Sequence, residues 1–317
     1  RRPPRSTLSP SSAASDVYKR QTLTSAHMTS PYKRPQNINK VFILAIDGLE
    51  YRLVQKYRLL SLKQEIYGYI DVSEFKHVLT PIIWTSFITG EPPEKHQVYS
   101  WWVFSRNKLL DRVAYAIRYK APLIKDMSSY KIKKLLSIFS IKVRPVSKYD
   151  LSIRTIFDLV KPSIALFIPG YNEESWIRDE YSKAMDKGID EFEKVLWRIH
   201  KYRKNKLYST LKESRTDWKL FMVWFDLADW IGHLYMNRNM LKVMKAYFEF
   251  NELVKNIKEF LPRKTLFIIV SDHGMENKGR HSNRAFYSFN INLKWKPRKI
   301  TDYFHFLQTL FETQQCT

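Results

Sequence analysis

The string DWIGH at 229–233 sets a carboxylate, Asp229, and an imidazole, His233, four residues apart. On a helix that spacing puts both side chains on one face, where they could hold one ion together. The string SDHGM at 271–275 sets a second carboxylate, Asp272, directly beside a second imidazole, His273. His281 follows eight residues later in a polar stretch, 277–284, and Asp47 with Gly48 adds a third carboxylate far upstream. Each feature is ordinary alone, because Asp-Gly and Asp-His pairs are common at turns and a loop histidine usually just faces water. Together, Asp47, Asp229, His233, Asp272, His273 and His281 supply three carboxylates and three imidazoles. Mixed oxygen and nitrogen ligands suit zinc first and manganese second, whereas an all-oxygen set would point to magnesium or calcium. Six ligands suffice for two divalent ions with three protein ligands each, which leaves open positions for a nucleophile and a substrate.

Such side chains act together only if the backbone converges them. Residues 41–46 and 266–270 are short apolar runs rich in β-branched residues, of strand length, and the first ends at Asp47 and the second just before Asp272. A strand over 220–225 ends at Asp226 and Asp229, and another over 163–168 ends at a Pro169-Gly170 turn. The stretch 79–90, LTPIIWTSFITG, reads as a helix with Thr80 as N-cap, Pro81 in the first helical position, and a stop at Gly90 before Pro92 and Pro93. Long charged helices are expected over 175–215, an amphipathic helix over 240–261, a further strand over 285–290 and a closing helix over 302–313. Strands alternating with helices imply an α/β fold: a mostly parallel central sheet with helices on both faces. Ligands bind such sheets beyond the carboxyl ends of the strands, so the aspartates are expected to meet along one edge.

The bulk numbers narrow the class. At 317 residues and 44% hydrophobic, the chain can bury a sizeable core. Its one cysteine, Cys316, excludes an internal disulfide and a cysteine-based zinc site. With no apolar run of about 18 residues, a transmembrane helix is not expected, and a cytoplasmic protein is the simplest reading. The formal net charge of +23 favours an anionic partner: a phosphorylated metabolite, nucleic acid or an acidic lipid surface. Between residues 106 and 148, twelve Lys and Arg stand against two Asp, which marks a basic, partly helical insertion at about 100–150. Residues 1–36 read as a disordered tail, and 1–21 as foreign to the native protein, since they show neither apolar periodicity nor the apolar centre of a signal peptide. Residues 37–317 then form one catalytic domain. A basic nucleic-acid-binding protein would explain the charge, but not the ordered set of ligand-type motifs.

In that order, AIDGLE (45–50), LTPIIWTSFITGEPPEKH (79–96), DWIGH (229–233), SDHGM (271–275) and His281 resemble the alkaline phosphatase superfamily in its type I phosphodiesterase and nucleotide pyrophosphatase branch. The resemblance covers roughly residues 40–290 as a framework and implies an alkaline phosphatase-like fold. It implies one metal held by Asp229, His233 and His281, and the other by Asp47, Asp272 and His273. It makes Thr80, nine residues before Thr89, the nucleophile and a supplementary metal ligand, acting through a phosphothreonine-type intermediate. Thr85 and Ser86 are rival hydroxyls inside the helix. The resemblance implies hydrolysis of phosphodiester or nucleotide pyrophosphate bonds in an anionic small molecule, a nucleotide among the candidates, with no obligatory nucleic-acid partner. A phosphomonoesterase or a phosphoglycerate mutase-like enzyme of the same superfamily is the alternative. Two departures stand out. The family's usual glycine after the histidine at 96 is Gln97 here, which bears on local backbone geometry, and Asp226 duplicates Asp229 as a candidate carboxylate and reads as a strand-end or supporting residue. His27, His77, His96, His200 and His305 read as structural or exposed.

Overall fold

Uninterrupted apolar runs become the central strands because only a position covered on both faces tolerates them. The computed structural model describes residues 38–103, 144–214 and 217–312. In chain order the elements are β1 (Lys40–Ile46), α1 (Tyr51–Lys56), α2 (Leu60–Lys63), β2 (Ile66–Asp71), α3 (Thr80–Thr89), α4 (Pro93–His96), β3 (Trp102–Val103), β4 (Arg144–Pro145), α5 (Ile156–Leu159) and β5 (Ser163–Leu166). Then follow α6 (Ser175–Lys187), α7 (Ile189–Ser214), β6 (Leu220–Phe225), α8 (Leu227–Tyr235), α9 (Met240–Phe260), β7 (Thr265–Val270), β8 (Gly274–Glu276), β9 (Arg280–Ser282), β10 (Arg284–Phe289) and α10 (Asp302–Glu312).

Six strands form one sheet in the order β2-β10-β7-β1-β6-β5. β5, β6, β1 and β7 run parallel, and β10 and β2 complete the sheet antiparallel to their neighbours. The fold is therefore α/β with a mostly parallel sheet, as expected. Every residue of β6 and β7 is buried, so both faces are covered. Apolar side chains of α3, α6, α7, α8, α9 and α10 belong to the same core. Register aligns one aromatic row across the centre: Phe42 pairs with Phe221 and with Phe267, their rings stacked at 5.0 Å and edge-on at 5.3 Å.

Two local departures from the sequence reading matter for the site. Leu79, not Thr80, is the N-cap of α3: its carbonyl takes the amides of Ile82 and Ile83, and Thr80 and Pro81 are the first helical residues. The strand expected over 163–168 ends at Leu166, because Phe167 turns into the left-handed region at φ 64°. The short elements α1, α2 and β2 had no clear signal in the sequence. β2 carries Gly68 in mid-strand, where a Cβ would lie 2.7 Å from the Tyr287 hydroxyl of the neighbouring strand, so the glycine that blurs the strand pattern is what lets β2 and β10 close up. The tail, 1–36, and residues 104–143 of the basic insertion lie outside the described residues. No described helix is long and apolar enough to cross a membrane.

Candidate active site

β1 lies between β6 and β7, so the residues that follow all three strands emerge side by side. Asp47 leaves β1, Asp226 leaves β6 and Asp272 comes two residues after β7. Asp229 is not at a strand end: it sits in the first turn of α8, and His233, one turn on, lies 3.3 Å from its Oδ1. Gly48 makes this convergence possible. It takes φ 67°, and a Cβ there would fall 2.7 Å from the Asp229 Cα, so the Asp-Gly step is what lets α8 approach the end of β1.

All six sequence-predicted ligand residues meet at this edge. His273 Nε2 lies 3.2 Å from Asp47 Oδ1, 3.5 Å from Asp272 Oδ2 and 3.8 Å from Asp229 Oδ1. His281 Nε2 lies 3.5 Å from Asp229 Oδ1 and 3.0 Å from His233 Nε2. The donor atoms fall into two sets, each close enough for one ion: Asp47, Asp272 and His273, and Asp229, His273 and His281, with His233 beside the second. His273 is also within reach of Asp229 and His281, with its ring stacked on His281 at 3.7 Å, a sharing that sequence spacing could not reveal.

The rings are aimed by the backbone. His273 Nδ1 donates to the Gly274 carbonyl at 3.0 Å, and His281 Nδ1 to the Val78 carbonyl at 2.9 Å. His233 bonds the backbone at Gly279, a residue whose own lack of a Cβ lets it lie against His233. Tying down Nδ1 leaves the Nε2 lone pair facing the cluster, the arrangement metal-ligating histidines use. Asp272 is oriented likewise: Oδ1 takes the amides of Gly48 and His273, which turns Oδ2 inward. Four buried atoms of this cluster have no hydrogen-bond partner: Asp47 Oδ1, Asp229 Oδ1, Asp272 Oδ2 and His273 Nε2. Four orphaned atoms of ligand type at one place are costly unless a cation compensates them, so the residues present fit divalent metal.

With only each other to balance their charges, these groups shift strongly. Burial raises Asp272 well above the usual carboxylate range, and the neighbouring Asp47 and Asp229 add to the rise. Asp47 rises for the same reasons, burial first and Asp229 second. Burial would raise Asp229 too, but His233 and His281 outweigh it and hold it well below. The Asp229 carboxylate pushes His233 up to about 9. Burial opposes a proton on His273, yet Asp47 wins and raises it. A cation held here would therefore compete with protons for the same lone pairs.

Thr80, in the first turn of α3, is buried, and it follows by two residues the Val78 carbonyl that His281 grips. The rival hydroxyls lie deeper in the helix. Thr85 is fully buried, and its Oγ1 lies where a Cβ on Gly170 would stand 2.5 Å away. Ser86 Oγ pairs with His96 Nε2 at 3.0 Å. Asp226 is engaged elsewhere, by Arg203 of α7 and by the Tyr181 hydroxyl at 3.1 Å. Arg203, fully buried and also 3.3 Å from Glu173, gave no signal in the sequence, where it is one cation among many on a charged helix. Of the remaining histidines, His96 and His200 are buried and His305 is exposed, whereas His27 lies outside the described residues.

No curated protein matches this chain in sequence. In structure it is similar to murine ectonucleotide pyrophosphatase / phosphodiesterase 5, at 14% identity and a TM-score of 0.40, over 74% of this chain and 57% of that one. The chain thus spans little more than half the length of that relative. It is similar also to alkaline phosphatase from the Antarctic bacterium TAB5, at 11% identity and a TM-score of 0.45, over 87% of this chain and 98% of that one. The PH0037 protein from Pyrococcus horikoshii gives 11% identity and a TM-score of 0.43 over the same shares, 87% and 98%. The family model described as type I phosphodiesterase / nucleotide pyrophosphatase matches residues 41–288, a stretch that contains Thr80 and all six clustered residues. By that match the chain belongs to the type I phosphodiesterase / nucleotide pyrophosphatase family.

Proposed function

We propose that the chain is a metal-dependent hydrolase of phosphodiesters or nucleotide pyrophosphates that works through a phosphothreonine on Thr80. The observation that carries the reading is the set of four orphaned, buried ligand atoms on Asp47, Asp229, Asp272 and His273. Asp229, His233 and His281 would hold one divalent ion, and Asp47, Asp272 and His273 the other, with zinc preferred over manganese by the nitrogen and oxygen donors. Bound there, the ions supply Lewis acidity and counter-charge to the phosphoryl group, so that no protein base is required.

The residues supply the rest. Thr80 Oγ attacks phosphorus: an Oγ–P bond forms, the bond to the leaving oxygen breaks, and the hydroxyl proton passes to solvent. Water then cleaves the Oγ–P bond, which releases the phosphorylated product and restores Thr80. Placement in the first turn of α3 favours negative charge developing on the attacked group. A diester suits the surroundings better than a monoester dianion, which usually demands extra cations such as a bidentate Arg. The stretch 80–90 holds no Lys or Arg, and Lys95 just beyond it is paired with Glu91 at 2.8 Å.

The test is the ratio of kcat/KM for bis-p-nitrophenyl phosphate to that for p-nitrophenyl phosphate, with zinc or manganese supplied. A ratio above one is expected. A ratio clearly below one moves the chain to the phosphomonoesterases, and no turnover of either ester with metal bound overturns the reading.

A further inference from the structure

Glu50 stands three residues past Asp47 and is 2% exposed, with a carboxylate surrounded by donors. Its Oε2 takes the Met275 amide at 3.0 Å and the Ser282 hydroxyl at 2.7 Å. Its Oε1 takes the Arg52 amide at 3.1 Å and faces Arg284 Nε at 3.4 Å. Its own amide donates to the buried Tyr247 hydroxyl at 2.7 Å, which ties it to α9. Among the described residues four donors face this side chain, and only a carboxylate can answer all four.

The two residues that Oε2 holds bracket a metal-ligand candidate. In the β8–β9 hairpin Met275 pairs with His281, and Ser282 follows His281 and pairs with Gly274. Gly274 is the residue after His273, and a Cβ on it would lie 2.2 Å from Glu50 Oε2 and 2.5 Å from Ser282 Oγ. The glycine of the Asp-His-Gly string is thus needed because the Glu50 carboxylate fills the space beside it. One side chain thereby joins three pieces: the turn after β1 that carries Asp47, the strand that follows Asp272 and His273, and the strand that carries His281.

We propose that Glu50 is a positioning residue for the metal centre, fixing His281 of the hairpin against Asp47, Asp272 and His273. The proposal rests on the reading of the cluster as a metal site. Without the carboxylate grip, the hairpin keeps its ladder, the His281–Val78 bond and the ties of its turn to His233 and Asn237, but loses its tie to the turn that carries Asp47, so His281 is set less firmly against that side of the cluster. The loss should appear in metal affinity, where supporting residues of this kind are worth about tenfold or more.

The experiment measures zinc affinity by competition with a chromophoric chelator, on the full chain, at a temperature where circular dichroism shows each protein folded. Glu50→Gln keeps the size but can satisfy only one pair of donors, and should weaken the weaker zinc site about tenfold. Ser282→Ala removes one bond from the hairpin side and should weaken it several-fold, and it carries the test if Glu50→Gln does not fold. A merely structural Glu50 would lower the melting temperature of the metal-free protein and leave zinc affinity of the folded protein unchanged. Wild-type zinc affinity in the folded variants therefore overturns the inference while leaving the metal centre intact. A wild-type chain that binds neither zinc nor manganese overturns the metal reading, and this inference with it.

Discussion

Thr80 and Thr85 are five residues apart on one buried helix, yet they face different company: Thr80 follows the carbonyl that His281 holds, and Thr85 Oγ1 abuts Gly170. Thr80→Ala should therefore lower kcat by about a thousandfold or more, as removal of a nucleophile does, while zinc content per chain stays near the wild-type value. Thr85→Ala should leave kcat within about threefold, since it only trims a buried methyl and hydroxyl. Near-normal turnover by Thr80→Ala would discard the assigned nucleophile. His96 offers a pH test. Burial pushes it down to about 3, and its Nε2 and Nδ1 are both used, by Ser86 and by the Val98 amide. An unfolded histidine titrates near about 6.5. The folded state thus binds fewer protons in between, so the stability contributed by the neutral ring is complete above about 6.5 and is lost as pH falls toward 3, at up to about 1.4 kcal/mol per pH unit. Urea unfolding of wild type and His96→Gln at pH 7 and pH 5 should show the gap between them shrinking at the lower pH. At this scale the sequence was highly legible. Asp229 with His233, and Asp272 with His273, carry their geometry in their spacing, because one helical turn or one peptide bond fixes it. The carbonyls of Val78 and Gly274 that aim the rings were not legible, since a backbone acceptor has no letter of its own.

Between elements, the legible parts were those with length and period. β6 occupies the residues expected, and α9 and β10 differ from expectation by one residue at their ends. The cap of α3 was misplaced by one residue because Thr80 has the side chain of a cap but the backbone of a first turn, and Leu79 takes the cap with no side-chain bond at all. The departure at Gln97 shows where a family glycine is missed. Gln97 closes α4 at φ 61° and ψ 25°, in the left-handed region. For a residue with a Cβ that conformation costs about 1–2 kcal/mol. Gln97→Gly should raise the unfolding free energy by about 0.5–1 kcal/mol in urea titration, the lost strain outweighing the greater freedom of the unfolded glycine. A loss of stability would mean that the Gln97 side chain makes a compensating contact.

For the molecule as a whole, the charge of +23 was visible from composition, but its use was not. If it draws an anionic ester toward the sheet edge, kcat/KM should fall several-fold as salt rises from about 0.05 M to about 0.5 M, while kcat at saturation changes little. Equal loss in both constants would argue for damage to the site instead. The β3–β4 ribbon has a consequence for how such a protein can change over time. Val103 pairs with Arg144 across the β3–β4 ribbon, the Val146 amide donates to the Trp101 carbonyl at 3.0 Å, and the Arg178 guanidinium sits 3.5 Å over the Trp101 ring. Both ends of the interval 104–143 are therefore pinned at one address, a strand-width apart. A change in the length of chain between Val103 and Arg144 would therefore leave the closing pair of this ribbon in place.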